Sequence, residues 1–164
     1  MLRKMATQTY SLTTRLRLPN IPSQTLPHIH LGVYLTSGNE TRRAVRYALE
    51  AGYRAFDSAQ MYHNEREVGS TILEYLKEHE GELTREDIHY TSKLASNSSY
   101  EAVRKSITKS VKECGLGYID LFLLHSPYGG KRARLESWRA LEDAVDEGEV
   151  RIPGVSNYGE KHVS

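Results

Sequence analysis

The sequence predicts an α/β fold of the (β/α)₈ barrel type. Short apolar segments alternate with longer segments in which apolar residues recur at helical spacing, a pattern typical of βαβ units and a parallel sheet. The polar residues that end four successive predicted strands, Asp57, Lys93, His125 and Ser156, lie 31 to 36 residues apart. Units of such similar length favour a barrel over a doubly wound sheet. No Gly-x-Gly-x-x-Gly motif follows the first strand, which argues against a Rossmann domain.

The N-terminal residues predict a β-hairpin ahead of these units. Apolar and polar residues alternate there, as in a half-buried strand, at Tyr10, Leu12, Thr14, Leu16 and Leu18. The Pro19-Asn20 pair would then turn the chain. Residues 1–39 contain four basic residues and no acidic one, a bias also found in mitochondrial presequences. The strand pattern favours the hairpin, and therefore a cytoplasmic protein. We expect an N-terminal extension and hairpin over residues 1–27, and a partial barrel domain over residues 28–164.

Five strands and four helices are predicted after residue 28. The strands are His30–Leu35, Tyr53–Asp57, Ile88–Leu94, Ile119–Leu124 and Val150–Ser156. The apolar stripes of the helices are Ala44, Val45, Ala48 and Leu49; Val68, Ile72, Tyr75 and Leu76; Val103, Ile107, Val111 and Cys114; and Leu135, Trp138, Leu141 and Val145. Capping boxes at Ser37–Glu40 and Ser98–Glu101, and a start at Asn64, open three of the helices. Glycines close all four, at Gly52, Gly81, Gly115 and Gly148.

Composition excludes several classes of protein. The 164 residues include 22 Lys and Arg against 21 Asp and Glu, a formal net charge of +1. This balance gives no reason to expect a nucleic acid or an anionic membrane as the partner. No apolar run approaches the roughly 20 residues of a membrane helix. The single cysteine, Cys114, excludes an internal disulfide and is expected to pack in the core. His28 and His30 have no third ligand at suitable spacing, so no metal site is predicted.

Four side chains at the predicted strand ends could share one catalytic rim, because catalytic residues of such barrels project from the C-terminal ends of the strands. These are Asp57, Tyr62, Lys93 and His125. A buried ammonium is costly unless paired, and Asp57 is the expected partner of Lys93. The hydroxyl of a free tyrosine has a pKa of about 10. An adjacent ammonium lowers this pKa, which makes the hydroxyl a better general acid. Each of these side chains also has a structural interpretation. Asp57 and Lys93 could form a structural ion pair, and His125 could be a hydrogen-bonded structural histidine. Tyr62 could be near Asp57 by chance, because the chain contains 11 tyrosines.

Several segments resemble the motifs of the aldo-keto reductases. They are Gly52-Tyr-Arg-Ala-Phe-Asp57-Ser-Ala59 with Glu65 and Val68-Gly69 after it, Thr91-Ser-Lys93-Leu, Leu123-Leu-His125-Ser-Pro127, and Gly154-Val-Ser156-Asn157-Tyr. The segment Leu135-Glu-Ser-Trp138-Arg-Ala-Leu141-Glu is similar to the helix that precedes the last motif. The similarity extends from about Leu12 to the final residue. One departure is Pro153, at a position where the family has an aliphatic residue.

The resemblance implies an oxidoreductase that transfers a hydride from NADPH, or NADH, to the carbonyl of a small aldehyde or ketone. Tyr62 would be the proton donor, Lys93 and Asp57 would promote release of its proton, and His125 would orient or polarise the carbonyl. Ser156 and Asn157 would hold the nicotinamide carboxamide, with Asp57 near the ribose. The substrate pocket would be lined by Val33, Tyr34, Met61 and Tyr128.

The chain is short for a complete barrel, which takes about 250 residues. We therefore expect a barrel truncated after about the fifth strand, without most of the cofactor site. Two functions stay open: a carbonyl reductase, or a non-catalytic truncated remnant or interaction module of the same fold. Open strand edges promote association, so self-association of such a chain is also expected.

Overall fold

The computed structural model describes residues 10–19 and 21–163. The strands in these ranges are β1 (Arg15–Leu18), β2 (Ile21–Pro27), β3 (Leu31–Gly32), β4 (Ala55–Asp57), β5 (His89–Leu94), β6 (Ile119–Leu124) and β7 (Val150–Val155). The helices are α1 (Gly38–Glu50), α2 (Glu65–Glu78), α3 (Tyr100–Cys114), α4 (Gly130–Asp146) and α5 (Glu160–Val163). Single 3₁₀ turns form at Gln60–Tyr62 and Arg85–Asp87.

Strands β3 to β7 form one parallel sheet in sequential order. Helices α1 to α4 connect successive strands after β3, so the predicted repeat of strand and helix is confirmed. Strands β1 and β2 form a separate antiparallel hairpin. Consecutive parallel strands of this kind bring their carboxyl ends to one edge of the sheet, and the polar residues predicted to end them meet there.

The hairpin is shorter than the sequence predicts. Strand β1 begins at Arg15 and not at Tyr10, because the preceding residues form a turn. In that turn the Thr14 N–H donates to Ser11 O at 3.1 Å, and the Ser11 N–H donates to Thr14 Oγ1 at 2.7 Å. Leu16 is about half exposed, so the alternation does not bury this side chain. Of the predicted turn, Asn20 lies outside the described residues.

The helices bury most of the predicted apolar stripes. Val45, Leu49, Val68, Ile72, Val103, Ile107, Cys114 and Leu141 all belong to the core between helices and sheet. Leu135 is an exception: it is 55% exposed, and α4 instead buries Ser137, Ala140 and Ala144 beside Leu141. The serine capping boxes do not form. Ser37 makes no side-chain cap bond, and the N-cap of α3 is Ser99, which makes none either.

Strand β7 accommodates Pro153 without losing a bond to β6. Pro153 lies opposite Phe122 in the parallel register, and the Ser156 N–H donates to Leu124 O at 2.9 Å. Backbone groups of a strand point alternately to its two sides, so Gly154 faces β6 as Ser156 does. The nitrogen of Pro153, which carries no hydrogen, therefore faces the side of β7 that has no neighbouring strand in the described residues.

No helix within residues 10–19 and 21–163 is long and apolar enough to cross a membrane.

Gly69 brings α2 into close contact with α3. A Cβ at this position would lie 1.7 Å from the carbonyl oxygen of Cys114 and 2.8 Å from its Cα, so only a residue without a side chain fits. The contact buries Cys114, whose side chain is free and almost fully enclosed. Burial raises the pKa of this thiol to about 11, which keeps it protonated and unreactive at neutral pH.

We expect Gly69→Ala to destabilise the fold by about 3 kcal/mol, at the upper end of overpacking costs. This cost exceeds the gain of at most about 1 kcal/mol that alanine brings to a helix interior. Urea unfolding monitored by circular dichroism measures the difference. Gly32→Ala is the matched control, because an added Cβ there meets nothing within 4 Å. Equal stability of the Gly69→Ala and Gly32→Ala proteins would contradict the close contact.

The inner face of β5 carries three buried polar residues in alternate positions: His89, Thr91 and Lys93. The rings of His89 and His30 meet edge to face, with centroids 5.3 Å apart. Burial, followed by the charges of His30 and Arg15, lowers the pKa of His89 to about 3. Burial also lowers the pKa of His30. Both rings are therefore neutral at pH 7.

This neutral histidine makes stability depend on pH. Below pH 6.5 the unfolded chain binds a proton at His89 that the folded chain refuses until about pH 3. The free energy of unfolding should therefore decrease as the pH is lowered through this window, by at most about 1.4 kcal/mol per pH unit. His89→Gln should flatten this dependence, whereas His28→Gln, at an exposed position, should leave it unchanged. The test is to measure the denaturant midpoint of each protein from pH 7 to 4. If the midpoint of His89→Gln changes with pH as much as that of the unmodified chain, His89 is not the source of the pH dependence.

Candidate active site

The strand ends gather the predicted catalytic side chains at one edge of the sheet. Asp57 is the last residue of β4, Lys93 is the next-to-last of β5, and His125 directly follows β6. Tyr62 completes the 3₁₀ turn that follows β4, and His63 after it adopts a left-handed conformation that leads into α2. The four predicted residues therefore share one rim.

The ammonium of Lys93 is the centre of this cluster. Its Nζ donates to Asp57 Oδ1 at 2.5 Å, to Ser58 O at 2.8 Å and to Tyr62 Oη at 3.5 Å. The Lys93 side chain is 8% exposed and the Asp57 side chain 30% exposed. An ammonium has three donors, and all three have an acceptor here. The burial of this charge is thus compensated by an ion pair and two further hydrogen bonds.

The ring of Tyr62 lies among two other aromatic rings. The Tyr34 ring centroid is 4.9 Å away, and that of His125 is 5.9 Å away and perpendicular in orientation. The Lys93 Nζ is 5.0 Å from the centre of the Tyr62 ring. These contacts fix the plane of the ring while its hydroxyl reaches the ammonium.

His125 is neutral in this environment. Burial, and then the positive charge of Lys93, lowers the pKa of its imidazole. Its Nδ1 is buried and has no hydrogen-bond partner among the described residues. The remaining nitrogen, Nε2, is the one available to a group that enters the site.

A cleft of about 700 Å³ lies above these residues. Its walls are formed by Tyr34, Met61, Tyr62, Ala95, Ser96, Asn97, His125, Ser126, Tyr128, Gly129 and Asn157. Three of the four predicted pocket residues, Tyr34, Met61 and Tyr128, are among them. Val33 is not: its side chain is fully buried in the core, because its N–H continues the ladder to Asp57 O and turns the side chain inward.

The sequence prediction missed the wall formed by Ala95, Ser96 and Asn97. These residues follow the end of β5 directly, and their position after a strand end was the available signal. Asn97 links neighbouring loops, since its Nδ2 donates to Ser126 O at 2.7 Å and to Tyr128 O at 2.8 Å.

Ser156 and Asn157 follow β7 at the edge of the same cleft. The Asn157 Nδ2 donates to His125 O at 2.9 Å and to Ser156 Oγ at 3.1 Å. Asn157 adopts a positive φ of 60°, a conformation that asparagine tolerates better than most residues. Its Oδ1 and the Ser156 hydroxyl remain as an acceptor and a donor side by side. A primary carboxamide, with one acceptor and one NH₂ group, is complementary to this pair.

Within the described ranges, no group of three or more His, Cys, Asp or Glu side chains is arranged to hold a metal ion. The His30 ring is hydrogen-bonded to Pro27 O at 3.2 Å, and His28 is exposed.

Comparison with known proteins identifies the family. The sequence pattern of the Aldo/keto reductase family matches residues 31–164. The chain belongs to the aldo/keto reductase family. An uncharacterized oxidoreductase of Schizosaccharomyces pombe is 51% identical over 137 residues, which are 84% of this chain and 48% of that protein.

Solved structures of aldo/keto reductases have the same fold. The enzyme from Brucella melitensis superposes with a TM-score of 0.81 at 35% identity, over 92% of this chain and 56% of that one. The Bombyx mori aldo-keto reductase in complex with NADP gives 0.80 at 32% identity, over 94% and 53% respectively. The five-stranded parallel sheet thus corresponds to about half of the aldo/keto reductase fold in these structures, and the chain spans about half the length of the relatives it matches.

Proposed function

We propose that this chain carries the catalytic residues of an NADPH- or NADH-dependent reductase that converts a small aldehyde or ketone into an alcohol. The observation that supports this proposal best is the Asp57–Lys93–Tyr62 cluster, whose Tyr62 lines the cleft. Family membership supports the same class of reaction.

Tyr62 would donate the proton that the carbonyl oxygen needs as the carbon is reduced. The adjacent Lys93 ammonium would stabilise the phenolate left behind, because a positive charge at hydrogen-bond distance favours the anion. Asp57 would balance the charge of Lys93 and hold Nζ in place. General acid catalysis of this type contributes typically about 10²–10⁴-fold to the rate.

His125 would bind the carbonyl oxygen beside Tyr62. A neutral imidazole with its proton on Nε2 can donate one hydrogen bond to that oxygen without competing for the proton of Tyr62. The lowered pKa of His125 keeps the ring in this neutral form at pH 7. The aromatic wall of Tyr34 and Tyr128 would face the organic part of the substrate.

Ser156 and Asn157 would hold the carboxamide of the nicotinamide through the donor and acceptor described above, and Asp57 would lie near the ribose. NADP is the proposed cofactor, supported by the NADP complex of the Bombyx mori relative; NAD is the alternative. When bound, the cofactor supplies the hydride, and the protein supplies position and electrostatics.

Tyr62→Phe should lower kcat by about 10²–10⁴-fold, while the dissociation constant for NADPH should change little because the ring is retained. Steady-state reduction of a panel of small aldehydes and ketones measures the first, and fluorescence titration the second. Tyr47→Phe is the control: it makes the same chemical change at an exposed position of α1 that does not line the cleft. Near-normal turnover of Tyr62→Phe would exclude Tyr62 as the proton donor.

A non-catalytic role is the second candidate, favoured by the two strands, β3 and β7, that border the sheet within the described residues. Such edges support self-association, which would cover them. Titration of the 164-residue chain with NADPH separates the candidates. Saturable quenching of protein fluorescence, weakened by Asn157→Ala, is expected for the reductase. An absence of binding, together with a mass above the 18.6 kDa of one chain in light scattering, would instead support the interaction module.

We propose the cytoplasm as the compartment, in keeping with the unpaired Cys114.

A further inference from the structure

We infer that the side chains of Gln60, which is half-buried, and of Asn64 and Glu65, which are buried, act as a clamp that sets the distance between the Tyr62 hydroxyl and the Lys93 ammonium. These three positioning residues flank Tyr62 in the sequence; none of them lines the cleft, and none is a hydrogen-bond acceptor for Lys93. The inference rests on the proposed function, because it assigns the clamp to the same proton-donating pair.

Glu65 ties the start of α2 to β5 and α3. Its Oε1 accepts a hydrogen bond from Ser92 Oγ at 2.5 Å, and its Oε2 accepts one from Ser110 Oγ at 3.2 Å. Ser92 directly precedes Lys93. The residue is 8% exposed, and no basic side chain in the described part of the chain lies within salt-bridge distance of it. Burial raises the pKa of this carboxyl.

A buried carboxyl without a cationic partner is a poor choice for stability alone, because desolvation of the charge is unfavourable and an apolar residue would avoid it. Glu65 instead fixes the positions of two elements, because its two oxygens accept hydrogen bonds from the hydroxyls of Ser92 in β5 and Ser110 in α3. We attribute its presence to this geometric function.

Gln60 closes the same network from the other side of Tyr62. Its Oε1 accepts from the Ala95 N–H at 2.8 Å, and its Nε2 donates to Ser106 Oγ and Ser110 Oγ, each at 2.9 Å. Ser110 therefore contacts both Gln60 and Glu65. The two residues contact the chain on either side of Lys93: Glu65 bonds to Ser92 in β5, and Gln60 bonds to Ala95, which directly follows β5.

Asn64 links the end of β4 to the segment that carries Tyr62. It is fully buried, its Oδ1 accepts from Ser58 Oγ at 2.7 Å, and its Nδ2 donates to Val33 O at 2.9 Å. Ser58 follows Asp57, and its carbonyl is itself an acceptor for Lys93. The end of β4 is thereby held against the segment that carries Tyr62.

The clamp matters because the Lys93–Tyr62 contact is long. The Nζ to Oη distance is 3.5 Å, at the outer limit of a hydrogen bond, so a small further displacement would break it. A misplacement of about 1 Å can cost roughly 10²-fold in rate. Gly69 contributes indirectly: it lies one turn after Glu65, and the close approach that it permits brings α2 near α3.

Four variants test the inference: Glu65→Ala, Glu65→Gln, Ser92→Ala and Thr71→Val. Glu65→Ala removes both acceptors. Glu65→Gln keeps an oxygen for one hydroxyl and offers an NH₂ group to the other, so it should restore the geometry. Thr71→Val is the matched control: Thr71 is buried on α2, but among the described residues its hydroxyl bonds only to Glu67 O of its own helix.

Two measurements are made on each variant. The first is the ¹⁹F signal of Tyr62 in protein labelled with 3-fluorotyrosine, assigned by its absence from Tyr62→Phe; it reports the ring's surroundings without any turnover. The second is the separation of kcat from KM. Glu65→Ala should shift or broaden the Tyr62 signal and lower kcat by about 10–100-fold with KM nearly unchanged. Glu65→Gln and Thr71→Val should resemble the unmodified protein.

A Glu65→Ala protein with an unchanged Tyr62 signal and unchanged kcat would overturn the inference, as would equal losses in Thr71→Val. If Glu65→Ala does not fold, Ser92→Ala replaces it, since it removes one bond and leaves the carboxyl in place; the same shift and loss are then expected in smaller measure. If the unmodified protein reduces no carbonyl compound, the proposed function fails, but the Tyr62 signal still decides whether the clamp holds the ring.

Discussion

The rest of the site depends on one constraint: a lysine ammonium inside the sheet must keep all three of its donors occupied. Lys93 meets this requirement with Asp57, the carbonyl of Ser58 and the hydroxyl of Tyr62. Two of these acceptors come from the end of β4 and the third from the turn just after it. The position of that turn is therefore tied to the positive charge, and the phenol that the charge supports is held in the lining of the cleft.

The histidines of the sheet and the site carry no positive charge at neutral pH that would repel the Lys93 ammonium. The side chains of His125, His30 and His89 are all buried to some degree, and each has a lowered pKa. Lys93 itself contributes to that lowering at His125 and His30. Neutral rings near a buried cation avoid repulsion, and a neutral imidazole can still donate or accept a hydrogen bond. The same burial that keeps His89 neutral makes the fold sensitive to acid.

The order of elements and the rim of catalytic residues could be predicted from the sequence, whereas several local contacts could not. Strand ends are readable because an apolar run stops abruptly at a polar residue, as Leu124 does before His125. Capping was predicted wrongly at Ser37 because residue type alone does not fix the side-chain torsion that a cap bond needs. The inward direction of Val33 depends on where the ladder with β4 begins. In the sequence Asn64 marks a helix start and Glu65 is one position of the family motif, but neither role predicts the buried hydrogen bonds that these side chains make.

Pro153 illustrates how the same residue has different consequences on the two sides of one strand. Had its nitrogen faced β6, β7 would lose a bond in the interior of the sheet, close to Ser156 and Asn157. Because alternation turns it to the other side, the bond from the Ser156 N–H to Leu124 O is intact, and the backbone that presents Ser156 is anchored. Gly154, next to it, is paired with Leu123, and the Leu123 side chain lies 2.6 Å from where a Cβ of residue 154 would be. Two residues of β7 therefore lead into the turn that carries Asn157. Pro153 lacks an N–H on the edge of β7 away from β6, and Gly154 lacks a side chain where Leu123 packs. The position of the two candidate cofactor ligands is then set by β6, and His125 directly follows the same strand.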